Sequence, residues 1–183
     1  MNASEQLNAI RGELRAAGDA IVRFAAGASD DTWRTRPPSG GWSAAECIAH
    51  LTLTNDAYIP LLRAAAATVP TNAALPSRYR TGFAAWMLAK ALEPPARMRS
   101  KTIAAFVPEA AAPKVDTVAA FSRSQDALLA WISSTERLAL NHAIVASPFN
   151  ARMKYNAYGA LRILAAHERR HLWQAERAAR GVP

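Results

Sequence analysis

The stretch of sequence that decides the fold reads LAAHERRHLWQAERA and spans residues 164–178. Steps of three and four residues predict an α-helix there, which we expect to run from about residue 156 to residue 180. One stripe of this helix, the face that it should bury, carries Leu164, His167, His171, Gln174 and Ala178. Two imidazoles one helical turn apart are therefore predicted to point inward.

A second helix begins at a clear start motif. Ser43 and Glu46 have the spacing of a capping box, in which the serine hydroxyl accepts from a first-turn amide and the glutamate accepts from the serine amide. Trp42, one residue earlier, would act as the hydrophobic staple, and the apolar pattern continues to about Ala67. His50 lies on the inward stripe of this helix and is the third histidine predicted to face the core.

Three histidines on inward helix faces indicate a metal site. His167 and His171 are spaced so that both can reach one ion, and His50 adds a ligand from a facing helix. Three neutral imidazoles leave an open coordination position, which suits zinc, nickel or iron and is typical of a catalytic site. The alternative is that each is an ordinary core histidine hydrogen-bonded to a neighbour. His142 falls in a predicted loop and is expected at the surface.

Cys47 is the only cysteine in the chain. A single thiol excludes an intramolecular disulfide and a thiolate metal cluster such as a zinc finger. Because Cys47 lies one turn before His50, it could be a fourth ligand. A small buried hydrophobic residue is the ordinary interpretation.

The remaining pattern completes an all-α four-helix bundle, expected as a single domain over residues 1–183. The first helix carries an apolar stripe from Leu7 to Phe24, and the third is predicted over about Thr117–Leu138. Between the second and third helices, residues 68–117 form a long crossover with a short helix at about Gly82–Leu92. No strand pattern outweighs these helical patterns.

The composition indicates a soluble protein with excess positive charge. The formal net charge is +8, and no stretch approaches the roughly 20 apolar residues of a membrane span. The N-terminus lacks the pattern of a secretory signal, so a cytoplasmic location is expected. Nucleic acid would suit the charge, but the arginines are scattered among acids and no nucleic-acid-binding motif is present. The most basic part is the crossover, which carries Arg78, Arg80, Lys90, Arg97, Arg99 and Lys101.

The combination of motifs resembles the DinB-like (YfiT-like) four-helix bundle proteins. Their second helix starts with tryptophan-serine followed by histidine-leucine, as at Trp42-Ser43 and His50-Leu51. Their last helix has two histidines four apart, followed by leucine and glutamine, as over residues 167–174. The resemblance covers the chain in helix order. It implies an up-down-down-up bundle, a zinc or nickel ion on the three histidines, and a homodimer.

The resemblance also implies a range of activities without choosing among them. Family members include thiol-dependent S-transferases and isomerases that use bacillithiol, mycothiol or glutathione, and others are regarded as metal-dependent hydrolases. We therefore predict a metal-dependent enzyme that activates a thiol or water toward a small-molecule substrate. The basic crossover would receive carboxylates of the thiol. The alternative is a non-catalytic metal- or ligand-binding bundle protein in stress response, because a fold does not fix a function.

Residues 167–171 also spell H-E-x-x-H, the zincin metalloprotease motif. We interpret this match as coincidental, because Gln174 and Arg177 stand where a metzincin has its glycine and third histidine. Glu168 is then a candidate base or a hydrogen-bond partner of a ligand. The alternative is a solvated surface glutamate paired with arginine.

Overall fold

The computed structural model is built on four long helices and describes residues 1–38, 40–95, 102–109 and 112–182. Its helices are α1 (Ala3–Gly27), α2 (Asp30–Arg34), α3 (Ala44–Ala67), α4 (Phe83–Leu92), a 3-10 turn (Ala104–Phe106), α5 (Lys114–Ser134) and α6 (Ala157–Ala179). Its strands are β1 (Ile144–Ser147) and β2 (Asn150–Asn156), which form an antiparallel hairpin before α6. None of the described helices is both long enough and apolar enough to cross a membrane.

The four long helices run up, down, down and up. Helix α1 contacts α5 and α6, and α3 contacts the same two helices, so α1 and α3 occupy opposite corners. The first half of α1 shares a hydrophobic cluster with the second halves of α3 and α5 and with the first half of α6. Helices α3 and α5 are therefore antiparallel to α1, and α6 is parallel to it. This confirms the predicted all-α bundle.

Local capping decides where α3 and α6 begin. Ser43 Oγ accepts from the Glu46 amide at 3.3 Å, and the Glu46 carboxylate accepts from the Ser43 amide at 2.8 Å, which confirms the capping box. Burial alone would raise the pKa of Glu46, but hydrogen bonds from Arg36 and Ser43 and the charge of Arg36 lower it below the ordinary value. Asn156 caps α6 by accepting from the Gly159 amide at 2.7 Å.

The prediction that the chain lacks strands was wrong. The hairpin pairs Ile144 with Asn156 and Val145 with Tyr155. In β2 only Tyr155 is buried, and the five residues before it are exposed. A strand with one buried residue lacks the alternation by which strands are recognised in sequence.

The third long helix begins and ends earlier than predicted. Helix α5 starts at Lys114, because the Pro113 carbonyl accepts from the amides of both Asp116 and Thr117. It ends at Ser134, where the chain turns, and not at Leu138.

The crossover contributes a second layer over α6. Helix α4 confirms the predicted short helix, and it packs on α6 through the buried residues Ala85 and Ala89. Its outward side exposes Phe83, Trp86 and Met87. Because α4 covers a side of α6 that the main bundle leaves open, residues of α6 outside the predicted inward stripe are also buried.

Candidate metal centre

Three histidine side chains converge at the end of the bundle where α3 begins and α6 approaches its end. His50 comes from the second turn of α3, and His167 and His171 come from adjacent turns of α6. The Nε2 atom of His167 lies 3.2 Å from that of His50 and 3.1 Å from that of His171. All three side chains are buried, and their potential ligand atoms lie within 4.8 Å of one another. The structure thus brings together the three residues that the sequence singled out.

A hydrogen bond sets the orientation of His50. Its Nδ1 lies 2.7 Å from the carbonyl oxygen of Phe106 in the 3-10 turn. A carbonyl only accepts, so Nδ1 carries the proton and Nε2 presents a lone pair to the other two rings. Within the described part of the chain, the buried Nδ1 atoms of His167 and His171 have no hydrogen-bond partner. Ring packing holds His171 instead, because Trp42 stacks on it with centroids 5.9 Å apart.

The geometry fits a divalent ion held by three imidazoles. Tetrahedral coordination at zinc–nitrogen distances of about 2.0–2.1 Å places the nitrogens roughly 3.3 Å apart, close to the 3.1 and 3.2 Å found here. Burial lowers the pKa of all three histidines, and neighbouring imidazoles and Arg170 lower it further at His167 and His171. The neutral imidazole is the form that binds a metal ion. This group could therefore hold one.

Aromatic rings enclose the three histidines. Gly41 has φ of +114°, a left-handed conformation that favours glycine, and the next residue, Trp42, lies 4.8 Å from the His50 ring. Phe149, in the turn of the hairpin, stacks on Phe106 at 4.2 Å and lies 6.1 Å from the His50 ring. The sequence predicted Trp42 as a staple for α3. In the structure it also covers two rings of the cluster.

Phe106 and Phe149 were not anticipated from the sequence. Phe106 acts through its backbone carbonyl, which every residue possesses, so nothing in its identity marks it. Phe149 lies between Pro148 and Asn150, both frequent turn formers. That turn between Ile144-Val145 and Lys154-Tyr155 is the pattern that could have revealed the hairpin.

A cavity of about 940 Å³ opens in front of the histidines. Its volume lies at the upper end of the range for small-molecule sites, roughly 300–1,000 Å³. All three histidines line it, so the cluster faces space that a substrate can enter. Most of the other wall residues are apolar, and the wall includes Thr54, Tyr58, Leu88, Leu92, Ser147, Phe149, Met153, Leu164, Arg170, Trp173 and Arg177.

Glu168 lies in the bundle interior and is not among the described residues that line the cavity. Its carboxyl accepts from Gln125 Nε2 at 3.0 Å and lies 3.5 Å from Asn55 Nδ2. Burial raises the pKa of Glu168 to about 8, although the hydrogen bonds from Gln125 and Asn55 oppose the shift. The alternative of a solvated surface glutamate was wrong, because side chains of α3 and α5 meet Glu168 inside the bundle.

We expect a Glu168→Gln variant to keep its metal content and to unfold within about 1 kcal/mol of the unchanged protein. Glutamine has nearly the same shape and can accept from Gln125 as the carboxyl does. Glu168→Ala should instead lower the free energy of unfolding by about 2–4 kcal/mol, because it leaves a cavity and removes an acceptor from the buried Gln125 amide, whose nitrogen keeps only its bond to the Leu14 carbonyl. Urea unfolding and elemental analysis of both variants measure this. A Gln variant as unstable as the Ala variant would show that the interior requires the carboxyl itself.

Cys47 and His142 lie where the ordinary interpretations placed them. Cys47 is buried in a hydrophobic cluster with Ile48 and Leu51, and burial raises the pKa of its thiol to about 12. It is not part of the ligand group, which holds histidines alone among the described residues. His142 is exposed in a turn.

The described basic residues of the crossover are not at the site. Arg78, Arg80 and Lys90 are exposed and do not line the cavity. The other members of the predicted basic segment, Arg97, Arg99 and Lys101, lie outside the described residues. Among the described residues, the positive charge at the cavity wall comes instead from α6.

Fold and site together define a helical bundle with a buried three-histidine group that could hold a metal ion. A family model described as the DinB superfamily matches residues 13–175. The chain belongs to the DinB superfamily, which confirms the resemblance carried by its motifs. Comparison with curated proteins and with solved structures gives no match.

Proposed function

We propose that this chain is a metal-dependent enzyme. His50, His167 and His171 would hold one divalent ion, zinc or nickel, and the site would activate a thiol or a water toward a small-molecule substrate. The observation that carries the proposal is the convergence of three Nε2 atoms, 3.1 and 3.2 Å apart, on the wall of a large cavity. A donor set of three imidazoles suits these ions.

The chemistry that such an ion supplies is a lower pKa for a thiol or water at its open position. The residues of the chain prepare that position. His50 donates from Nδ1 to the Phe106 carbonyl, which keeps its Nε2 directed at the cluster. The rings of Trp42 and Phe149 pack against the His50 ring, with centroids 4.8 and 6.1 Å from it, and hold it in place.

Hydroxyl groups add hydrogen-bonding capacity to the cavity. Tyr58 and Ser147 both line it, and the hydroxyl of Tyr58 is hydrogen-bonded to that of Tyr155. Burial raises the pKa of Tyr58 and of Tyr155, so both phenols stay protonated. We infer that Tyr58, which lines the cavity, can donate a hydrogen bond to a bound substrate when it accepts from Tyr155, and that neither phenol acts as a base at neutral pH.

Purified protein is expected to contain about one zinc or nickel ion per chain, since three ligands converge on one position. Elemental analysis measures the metal. A screen with glutathione, bacillithiol and mycothiol, each with 1-chloro-2,4-dinitrobenzene as electrophile, measures thiol transfer, and a panel of ester and amide substrates measures hydrolysis. Turnover that a chelator removes and zinc or nickel restores would support an enzyme. Protein without bound metal, even after incubation with zinc and nickel, would contradict the proposal.

A further inference from the structure

We propose that the cavity selects anionic, largely apolar small molecules, and that the guanidinium groups of Arg170 and Arg177 recognise the negative charge. The inference rests on the proposed function in placing the substrate in this cavity. The inference goes beyond the proposed function by naming the chemical class of the substrate.

The charged groups on the described wall of the cavity have one sign. Arg170 and Arg177 line it, and no described aspartate or glutamate does. Three neutral imidazoles would not cancel the charge of a divalent ion. The described wall therefore carries positive charge from two guanidinium groups, and an anion is the ligand that this charge favours.

The two arginines occupy different positions along α6. Arg170 is only 6 % exposed and lies between the two ligand histidines of α6 in sequence. Its Nη1 donates a long hydrogen bond, 3.4 Å, to the Ala91 carbonyl, which orients the side chain from α4. Arg177 lies two turns further on, with its guanidinium 4.8 Å from the ring centre of Trp173. A buried guanidinium binds an anionic oxygen more strongly than an exposed one, because water competes less.

The rest of the wall fits an apolar body. Leu88 and Leu92 come from α4, Phe149 and Met153 from the hairpin, and Trp173 from α6. A ligand with an aliphatic or aromatic part can bury that part here, while its anionic group meets an arginine. A thiol that carries a carboxylate belongs to this class, as does an apolar acid.

The test compares two probes that differ in charge, octane-1-sulfonate and octan-1-ol, by isothermal titration calorimetry. A sulfonate is a poor metal ligand, so its binding reports the arginines and not the histidines. Arg170→Met and Arg177→Met each remove one cation of the wall. Arg63→Met, on the exposed surface of α3, is the matched control, since it changes the net charge by the same amount.

The unchanged protein should bind the sulfonate at least about tenfold more tightly than the alcohol, as expected for a charge-assisted hydrogen bond. Arg170→Met should remove most of this preference and Arg177→Met part of it, with affinity for the alcohol unchanged within about twofold. Arg63→Met should alter neither. If Arg170→Met does not fold, Arg177→Met and the preference of the unchanged protein decide the question.

Equal binding of the two probes by the unchanged protein would overturn the inference. So would an Arg63→Met variant that weakens sulfonate binding as much as Arg170→Met, because the effect would then be one of net charge. Metal content is measured on the same samples. If the protein contains metal but does not prefer the sulfonate, this inference is overturned and the proposed function stands. If the protein lacks metal but prefers the sulfonate, this inference is supported and the proposed function is contradicted.

Discussion

A His171→Ala variant is expected to keep the helical bundle and to lose its metal ion. His171 supplies one of three converging Nε2 atoms, and two remaining imidazoles bind a divalent ion much more weakly. We expect the affinity for zinc to fall by at least about 100-fold. Loss of a residue that only hydrogen-bonds to a ligand usually has a smaller effect than loss of the ligand itself. Elemental analysis after dialysis measures the loss, and circular dichroism checks the helices.

The same variant gives a thermodynamic readout that does not depend on activity. Zinc at about 100 times its dissociation constant should stabilise the unchanged protein by about 2.7 kcal/mol, because it binds the folded state. It should stabilise His171→Ala by no more than about 0.4 kcal/mol, because a site at least 100-fold weaker is then at most half occupied. His142→Ala is the matched control, since it removes an exposed histidine that is not part of the group, and it should respond to zinc as the unchanged protein does. Equal stabilisation of the His171→Ala variant by zinc would show that the ion binds elsewhere.

A Gly159→Ala variant is expected to destabilise the fold. A Cβ added at Gly159 would lie 2.6 Å from the Thr81 carbonyl oxygen and 2.8 Å from the Ala85 Cβ. Both contacts are too short for real atoms, and one of them involves backbone, so α4 and its preceding segment must move off α6. We expect the free energy of unfolding to fall by about 1–3 kcal/mol. This is the net loss, because alanine is also roughly 1 kcal/mol more favourable than glycine within a helix.

Gly12→Ala provides the matched control for this prediction. Gly12 lies within α1, is exposed, and has no atom within 4 Å of its added Cβ. The same change there should stabilise the protein by about 0.5–1 kcal/mol through helix propensity and the entropy of the unfolded chain. Urea unfolding of the two variants measures both effects. A stabilised Gly159→Ala variant would mean that α4 does not pack against α6 as closely as the structure places it.

The burial of Glu168 and Arg170 depends on the helices that pack around α6 and would have been hard to anticipate. The periodicity of α6 predicts one inward stripe, and Glu168 and Arg170 are not on it. In the structure α4 covers one further side of α6, and side chains of α3 and α5 meet Glu168 on another, so both residues are buried. Burial of a charged side chain depends on which elements pack around it, and a residue pattern within one helix does not record its neighbours.

The sequence by itself determined the features that act over short distances along the chain. The capping box at Ser43 and Glu46 involves residues three apart, so its hydrogen bonds can be foreseen from residue types. The inward phase of His50, His167 and His171 follows from the helical repeat, and the structure brings these residues together as predicted. Helix order and motif spacing were likewise sufficient for the family.

Only the tertiary structure decided what surrounds the three histidines. The Phe106 carbonyl reaches His50 across 56 residues of sequence, and the hairpin brings Phe149 over the same ring. These contacts join segments that are far apart in the chain, and neither segment carries a periodic pattern of its own. The two arginines of the cavity wall likewise came to notice only once the fold had placed them on the same wall as the three histidines.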